Sequence, residues 1–188
     1  MTDDPLSFAR ADALWDWLSL HHATAPALWL RLWKKDSGTP SVTWEECVVA
    51  ALAHGWIDGL KRPWDERSWL QRISPRKPRS AWSQKNRAHA ERPIAEGRMQ
   101  PAGLAQVIAA KADGRWDAAY AGSATMEIPQ DFLDALAADA AAQAFYATLD
   151  RKNLFPIYYR LHTAKRPETR AARIAAMVAQ LSRGERFQ

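Results

Sequence analysis

The sequence predicts an α+β fold, in which N-terminal helices and a small antiparallel sheet precede an all-helical C-terminal module. Two observations predict it. From residue 80 onwards, apolar residues recur at the three-to-four-residue spacing of helices. Before that point, three segments alternate as strands do, namely residues 27–35, 56–61 and 68–73. We therefore expect an α+β domain over residues 1–115 and a helical module over residues 116–188.

Helix and turn signals divide the N-terminal part. Helical spacing of apolar residues predicts a first helix over residues 6–20. A second helix follows Thr43, because Thr43 and Glu46 have the spacing of a capping box. Gly55 can end that helix in the left-handed conformation. The second and third strands are predicted to be joined by a loop at residues 63–66.

The C-terminal part is predicted to consist of consecutive helices. Ser80 is the candidate N-cap of a helix that ends near Gly97. Later helices are predicted to begin at or just after Pro101, Pro129, Asp139, Asn153 and Pro167. In the last of them, Arg170 and Arg173 are expected to face solvent.

Composition limits the class of protein. Cys47 is the single cysteine, which excludes an intrachain disulfide and suits a reducing compartment. The N-terminus lacks the basic and apolar pattern of a signal peptide, and no stretch approaches the ~18 apolar residues of a membrane span. We therefore expect a cytoplasmic protein, with no cofactor and no bound metal.

Charge is unevenly distributed along the chain, whose formal net charge is +5. Successive segments carry −3, +6, −5 and +7, over residues 1–53, 54–98, 99–150 and 151–188. The basic segments could attract an anion if they lie together, or merely neutralise their acidic neighbours.

The segment of residues 54–86 is the best candidate for a site, since it holds four of the ten tryptophans. Arginine forks suit carboxylates or phosphates, and indoles provide flat walls for rings. The pattern predicts a pocket for a small anionic or aromatic ligand, or a surface for a protein partner. The candidate ligand-binding residues are Trp56, Asp58, Lys61, Arg72, Arg76, Lys77, Ser80, Trp82, Ser83 and Asn86.

A purely architectural role for the same residues remains open. Asp58 could pair with Arg72 or Lys61 across the hairpin, and Ser80 could serve only as a cap. The tryptophans could be core residues, because large aromatic side chains dominate small cores.

An enzymatic role is a weaker alternative. His54 lies four residues before Asp58, and such a pair could act as a general base in a hydrolase or transferase. No companion nucleophile is recognisable, since Cys47 lies on an apolar helix. His21, His22 and His89 lack metal-ligand spacing.

A nucleic-acid interface is the other alternative. Basic residues interleave with Trp69 and Trp82, which could form a cationic groove where bases stack. Those basic residues are Arg72, Arg76, Lys77, Arg79, Lys85 and Arg87.

Several motifs resemble the YdeI/OmpD-associated family, also called the bacteriocin-protection family. They are GWIDG at 55–59, SPRKPRSAWSQKN at 74–86, GRM at 97–99 and AKRPETRAARI at 164–174. Roughly the last 60 residues look like that family's C-terminal module. The resemblance implies a link to bacteriocin resistance or to an outer-membrane porin. It assigns no catalytic residue.

Overall fold

The computed structural model describes residues 4–187. The chain divides into two compact units, Met1–Ala119 (unit 1) and Tyr120–Gln188 (unit 2). Unit 1 contains α1 (Ala11–His21), β1 (Leu28–Trp33), a 3-10 turn (Lys35–Ser37), α2 (Trp44–Ala53), β2 (Trp56–Asp65), β3 (Ser68–Pro75), α3 (Gln84–Ala95) and α4 (Pro101–Ala112). Unit 2 contains α5 (Gln130–Ala137), α6 (Ala140–Tyr146), α7 (Arg151–His162) and α8 (Pro167–Ser182). The predicted α+β class is confirmed.

The three strands form one antiparallel sheet in the order β1-β3-β2. Alternation gives the sheet two faces. On the inner face, Leu30, Leu32 and Ile73 pack with apolar residues of α1 and α2 in the first core cluster. On the outer face, Trp29 lies opposite Arg72. The face on which a side chain lies therefore decides whether it joins the core.

The elements of unit 1 differ from the predicted ones in three places, and each difference has a local cause. The first helix begins at Ala11 because Leu6 pairs with β1 instead, donating to the Trp29 carbonyl at 2.9 Å. The strand β2 continues through Pro63, where the predicted loop lay, because β2 is an edge strand and tolerates a missing N–H. The chain reverses instead at residues 66 and 67.

The third difference concerns the start of α3. Ser83 is the N-cap, since its hydroxyl accepts the Asn86 backbone N–H at 3.0 Å. Ser80 caps no helix, and its carbonyl accepts from Arg115 at 3.0 Å.

The start and end of α2 agree with the prediction. Thr43 accepts the Glu46 N–H at 3.2 Å, and Glu46 accepts the Thr43 N–H at 2.7 Å. This is the predicted capping box. Gly55 then adopts a φ of 76°, which is the left-handed conformation that ends helices.

A second core cluster of unit 1 lies between α2, α3 and α4. It is centred on Trp82, whose ring meets that of Trp116 edge to face at 4.9 Å. Val48 and Leu52 of α2 and Val107 of α4 complete it. The helix α2 thus contributes to both cores of unit 1.

Unit 2 has its own core, built from Phe132, Leu136, Ile157 and Leu181 among others. The helix α7 begins after the N-cap Asp150, two residues earlier than predicted. Contrary to prediction, Arg170 and Arg173 are half-buried. Arg170 forms a two-pronged ion pair with Asp131 at 2.5 and 2.8 Å, and Arg173 donates to the Arg160 carbonyl at 2.5 Å.

Within the described residues, none of the helices combines the length and apolar character needed to cross a bilayer. No group of three or more His, Cys, Asp or Glu side chains among residues 4–187 is arranged to hold a metal ion.

Candidate functional site

Asp58 lies at the centre of the polar cluster that best qualifies as a site. It pairs with Ile73 in the sheet and so lies on the inner face, where it is half-buried. The side chains of Asn86 and Trp44 and the ring of His89 lie close enough to its carboxyl group to lower its pKa. We call Trp44, Asp58, Asn86 and His89 the Asp58 cluster.

Two capped helix starts position the partners of Asp58. Trp44 is the first residue of α2, directly after the Thr43 capping box. Ser83 fixes the first turn of α3, and Asn86 and His89 follow three residues apart, on one face of that helix. The Trp44 and His89 rings meet edge to face at 6.0 Å. The cluster is therefore built on regular elements rather than on loops.

Burial shifts the ionisation of both titratable groups in the cluster. It raises the pKa of the Asp58 carboxyl, an effect that its own backbone N–H and the Asn86 amide partly oppose. Burial also lowers the pKa of His89, which Glu45 partly opposes. His89 Nε2 is buried and has no hydrogen-bond partner among the described residues. The cluster thus presents a neutral imidazole beside a carboxyl group that binds its proton more tightly than usual.

A second group of the predicted site residues surrounds Arg76. Its buried guanidinium lies 3.8 Å from the centre of the Trp82 ring. It also donates to the carbonyl groups of Ala81 at 2.5 Å and Ser80 at 3.4 Å. Arg76 therefore ties the chain after β3 to the second core, and Trp82 is 1% exposed. Burial of this depth makes both residues part of the architecture of unit 1.

The structure disperses the remaining predicted site residues. Trp56 is 1% exposed in the first core and donates to the His22 carbonyl at 3.0 Å. Arg72 lies on the outer face, away from Asp58. Lys77 is exposed, and Lys61 is exposed beside Trp69, with its Nζ 4.7 Å from the ring centre.

Lys61 also lines a cavity of about 430 Å³. The other lining residues are Lys34, Pro63, Asp65, Ser68 and Trp69. Of the ten predicted residues, the structure thus brings Asp58 together with Asn86, and Arg76 with Ser80 and Trp82. Ser83 acts as the helix cap that places Asn86.

His54 does not serve as the partner of Asp58. Its Nδ1 lies 2.8 Å from the Ala50 carbonyl and its Nε2 lies 3.1 Å from the Ser19 hydroxyl. Burial lowers the pKa of His54, which favours a neutral, structural imidazole. Burial also raises the pKa of Cys47 to about 12, so its thiol stays protonated at neutral pH.

Trp44 and His89 were not among the predicted site residues. From the sequence, His89 was considered only as a metal ligand and Trp44 only as part of a capping box. The sequence feature that could have identified His89 is its spacing of three residues from Asn86, which places an amide and an imidazole on one face of a helix. Their proximity to Asp58 depends on how α3 packs, which a local pattern does not contain.

Comparison with known families, like the division into unit 1 and unit 2, separates an N-terminal part of the chain from a C-terminal part. A family model described as "Domain of unknown function (DUF8412)" matches residues 6–106, more than half of the chain. A second, described as "Bacteriocin-protection, YdeI or OmpD-Associated", matches residues 125–184. The chain matches no curated protein and no solved structure.

The two matches refine the resemblance seen in the sequence. The motifs at residues 55–59 and 74–86 fall within the first match, whereas the motif at residues 164–174 falls within the second. The second match thus confirms the bacteriocin-protection resemblance for the C-terminal segment. The chain belongs to the family described as Domain of unknown function (DUF8412), and its residues 125–184 match the model described as Bacteriocin-protection, YdeI or OmpD-Associated.

Proposed function

We propose that the Asp58 cluster binds a small, planar aromatic ligand that carries a hydrogen-bond donor. One observation supports this above all. A half-buried carboxyl with a raised pKa is held beside an amide, an indole and a buried imidazole nitrogen that has no hydrogen-bond partner among the described residues. Perturbed ionisation of this kind is common at functional sites.

The chemistry of the cluster favours an aromatic ligand over an anionic one. Asp58 can accept a hydrogen bond, and the Asn86 amide can donate and accept. The Trp44 ring already receives a cation, since Lys85 Nζ lies 4.3 Å from its centre, and a ligand ring could take that place. An anion would be repelled by ionised Asp58. A heterocycle with adjacent donor and acceptor atoms complements this set.

Binding without catalysis is the role that we propose. The His54–Asp58 general base of the enzymatic alternative has no support in the contacts of His54. A thiolate nucleophile is disfavoured by the raised pKa of Cys47. The Ser83 hydroxyl is occupied as a helix cap. These contacts support a recognition site rather than a reaction centre.

We propose further that the two units have separate roles. The Asp58 cluster lies within the match to residues 6–106, and the match described by bacteriocin protection covers residues 125–184. A protective role, or contact with a protein partner, would then belong to the C-terminal module. We propose a cytoplasmic location, supported by the single, unpaired and buried cysteine.

Titration with adenine, followed by NMR of the tryptophan indole N–H groups, tests the ligand proposal. All ten tryptophans lie in residues 1–119, and the Trp44→Phe variant identifies the Trp44 signal by its loss. We expect adenine to shift the Trp44 signal while most other indole signals stay in place. Benzoate, a planar anion, should produce no saturable shift at the same concentrations.

Two amides of α3 provide a matched comparison. Asn86→Ala should weaken adenine binding about tenfold, because one hydrogen bond to a ligand contributes about 1.4 kcal/mol. Gln84→Ala removes an exposed amide two residues away and should leave the affinity unchanged. If adenine moves no indole signal, or if both variants bind it equally well, the proposed ligand class is wrong.

A further inference from the structure

The outer face of the sheet in unit 1 carries a pattern that the Asp58 cluster does not use. Indoles and guanidinium groups alternate along β1 as Trp29, Arg31 and Trp33. From β2, Arg62 lies opposite Leu70 of β3 and so joins the same face. This side of β1 is half-buried, in contrast to the fully buried leucines of the inner side.

Arginine–tryptophan pairs cover this face. The Arg31 guanidinium lies 3.9 Å from the Trp33 ring centre and 5.8 Å from that of Trp64. The Arg62 guanidinium lies 5.0 Å from the Trp29 ring centre. Trp64 is 50% exposed, which leaves part of its ring open to solvent. The face thus offers several flat apolar surfaces that cations already accompany.

The charge of the face is positive. Arg31, Arg62 and Arg72 lie on it, and Arg67 in the adjoining turn approaches Trp33 at 5.8 Å. Among the residues of the three strands and of the turn between β2 and β3, the acidic ones are Asp58, Asp65 and Glu66. Asp58 faces the inner side, and Asp65 is paired with Arg31 at 2.5 Å. Positive charge therefore exceeds negative charge on the outer face.

We propose that this outer face binds single-stranded nucleic acid. Exposed rings that accept stacked bases, together with guanidinium groups that neutralise phosphates, are the two features such binding requires. An acidic protein segment would use the charges but would gain little from the rings. A duplex presents phosphates without free base faces, so it would leave the indoles unused. The proposal does not depend on the Asp58 cluster, which lies on the opposite side of the sheet.

The proposal assigns different residues from those of the basic segment after β3. There, Arg76 and Trp82 are buried and engaged with each other. Arg72 belongs to the outer face instead. The exposed ring of Trp64 and the charges of Arg62 and Arg72 are therefore the ones to test.

Fluorescence anisotropy with a labelled oligothymidylate of about 15 nucleotides, near the upper site size of such surfaces, tests the proposal on the full chain. We expect binding at about 50 mM salt that weakens steeply as salt rises. Trp64→Ala should weaken binding about tenfold, through loss of a stacked base, and Trp64→Phe should restore most of it.

Two double variants distinguish binding at the outer face from a general effect of positive charge on the protein. Arg62→Ala with Arg72→Ala should weaken binding at least tenfold and lower the salt slope by about 1.4, the value for two phosphates of a single strand. Arg92→Ala with Arg98→Ala removes the same charge from exposed positions at and beyond the end of α3 and should change binding less than twofold.

Three results would overturn the proposal. The first is no binding of the oligonucleotide at low salt. The second is equal weakening by both double variants, or a larger loss from Lys77→Ala with Arg79→Ala, which would move the site to the basic segment. The third is equally tight binding of polyglutamate that Trp64→Ala leaves unchanged, which would identify a general anion surface suited to an acidic protein.

Discussion

Replacing Trp82 with alanine is expected to lower the free energy of unfolding of unit 1 by about 4 kcal/mol, because truncating a large buried aromatic residue removes burial and leaves a cavity. Trp82 is 1% exposed and packs with Val48 and Leu52 in the second core. The substitution also removes the ring beneath the Arg76 guanidinium, 3.8 Å away. The buried charge would then lose one of its compensating contacts.

Urea unfolding followed by tryptophan fluorescence measures this effect selectively. All ten tryptophans lie in residues 1–119 and all four tyrosines in residues 120–188, so the signal reports on unit 1. Trp64→Ala is the matched comparison, since Trp64 is 50% exposed and should cost less than about 1 kcal/mol. Equal, small losses in both variants would mean that Trp82 is a surface residue, as a ligand-binding wall would be.

Replacing Gly103 with alanine is expected to destabilise unit 1 by about 3 kcal/mol, through overpacking where α4 crosses the end of α2. A Cβ atom at Gly103 would lie 2.6 Å from the Leu52 carbonyl oxygen and closer still to that of Ala53. The Ala53 carbonyl also accepts the Gln100 N–H at 3.1 Å, which restrains it from moving away. Because the Ala53 carbonyl is a hydrogen-bonded backbone group, it cannot move aside as a flexible side chain could.

Gly59→Ala is the control for this substitution. A Cβ at Gly59 would meet only the Arg72 carbonyl oxygen, at an ordinary distance of 3.7 Å. The same urea experiment should show a loss below about 1 kcal/mol for this variant. If Gly103→Ala unfolds at the urea concentration of the Gly59→Ala variant, the close approach of α2 and α4 is wrong.

Local sequence patterns predicted much of unit 1, for identifiable reasons. The capping box of Thr43 and the left-handed Gly55 depend on contacts within a few residues, so the sequence contains the information directly. The alternation in β1 likewise predicted which side chains enter the core. The sequence pattern could not decide between two possible caps of α3, Ser80 and Ser83, because both are serines and serine favours helix starts.

The candidate site was harder to predict because its members come from distant parts of the chain. Asp58 and Asn86 were both identified, yet Trp44 and His89 join them only through the packing of α2 and α3 on the sheet. Strand register separated Arg72 from Asp58, because one residue of register decides the face on which a side chain lies. Depth of burial, which composition does not reveal, placed Trp56 and Trp82 in the core.

We propose that Asp58 serves ligand binding rather than stability. Because burial raises its pKa in the folded chain, the unfolded chain ionises first as pH rises, and the ionised carboxyl then disfavours folding. At pH well below the unfolded value, both states are protonated and this cost disappears. Removing the charge should therefore stabilise the chain at neutral pH and weaken the binding of a ligand.

The free energy of unfolding of the Asp58→Asn variant, measured by urea at pH 7 and at pH 3 with and without adenine, tests this claim most directly. We predict that the variant's free energy of unfolding exceeds that of the parent chain by about 0.5 kcal/mol at pH 7. This difference should disappear at pH 3. We also predict that adenine stabilises the parent chain but not the variant. A variant that is less stable at pH 7 and still responds to adenine would show that Asp58 serves the architecture alone.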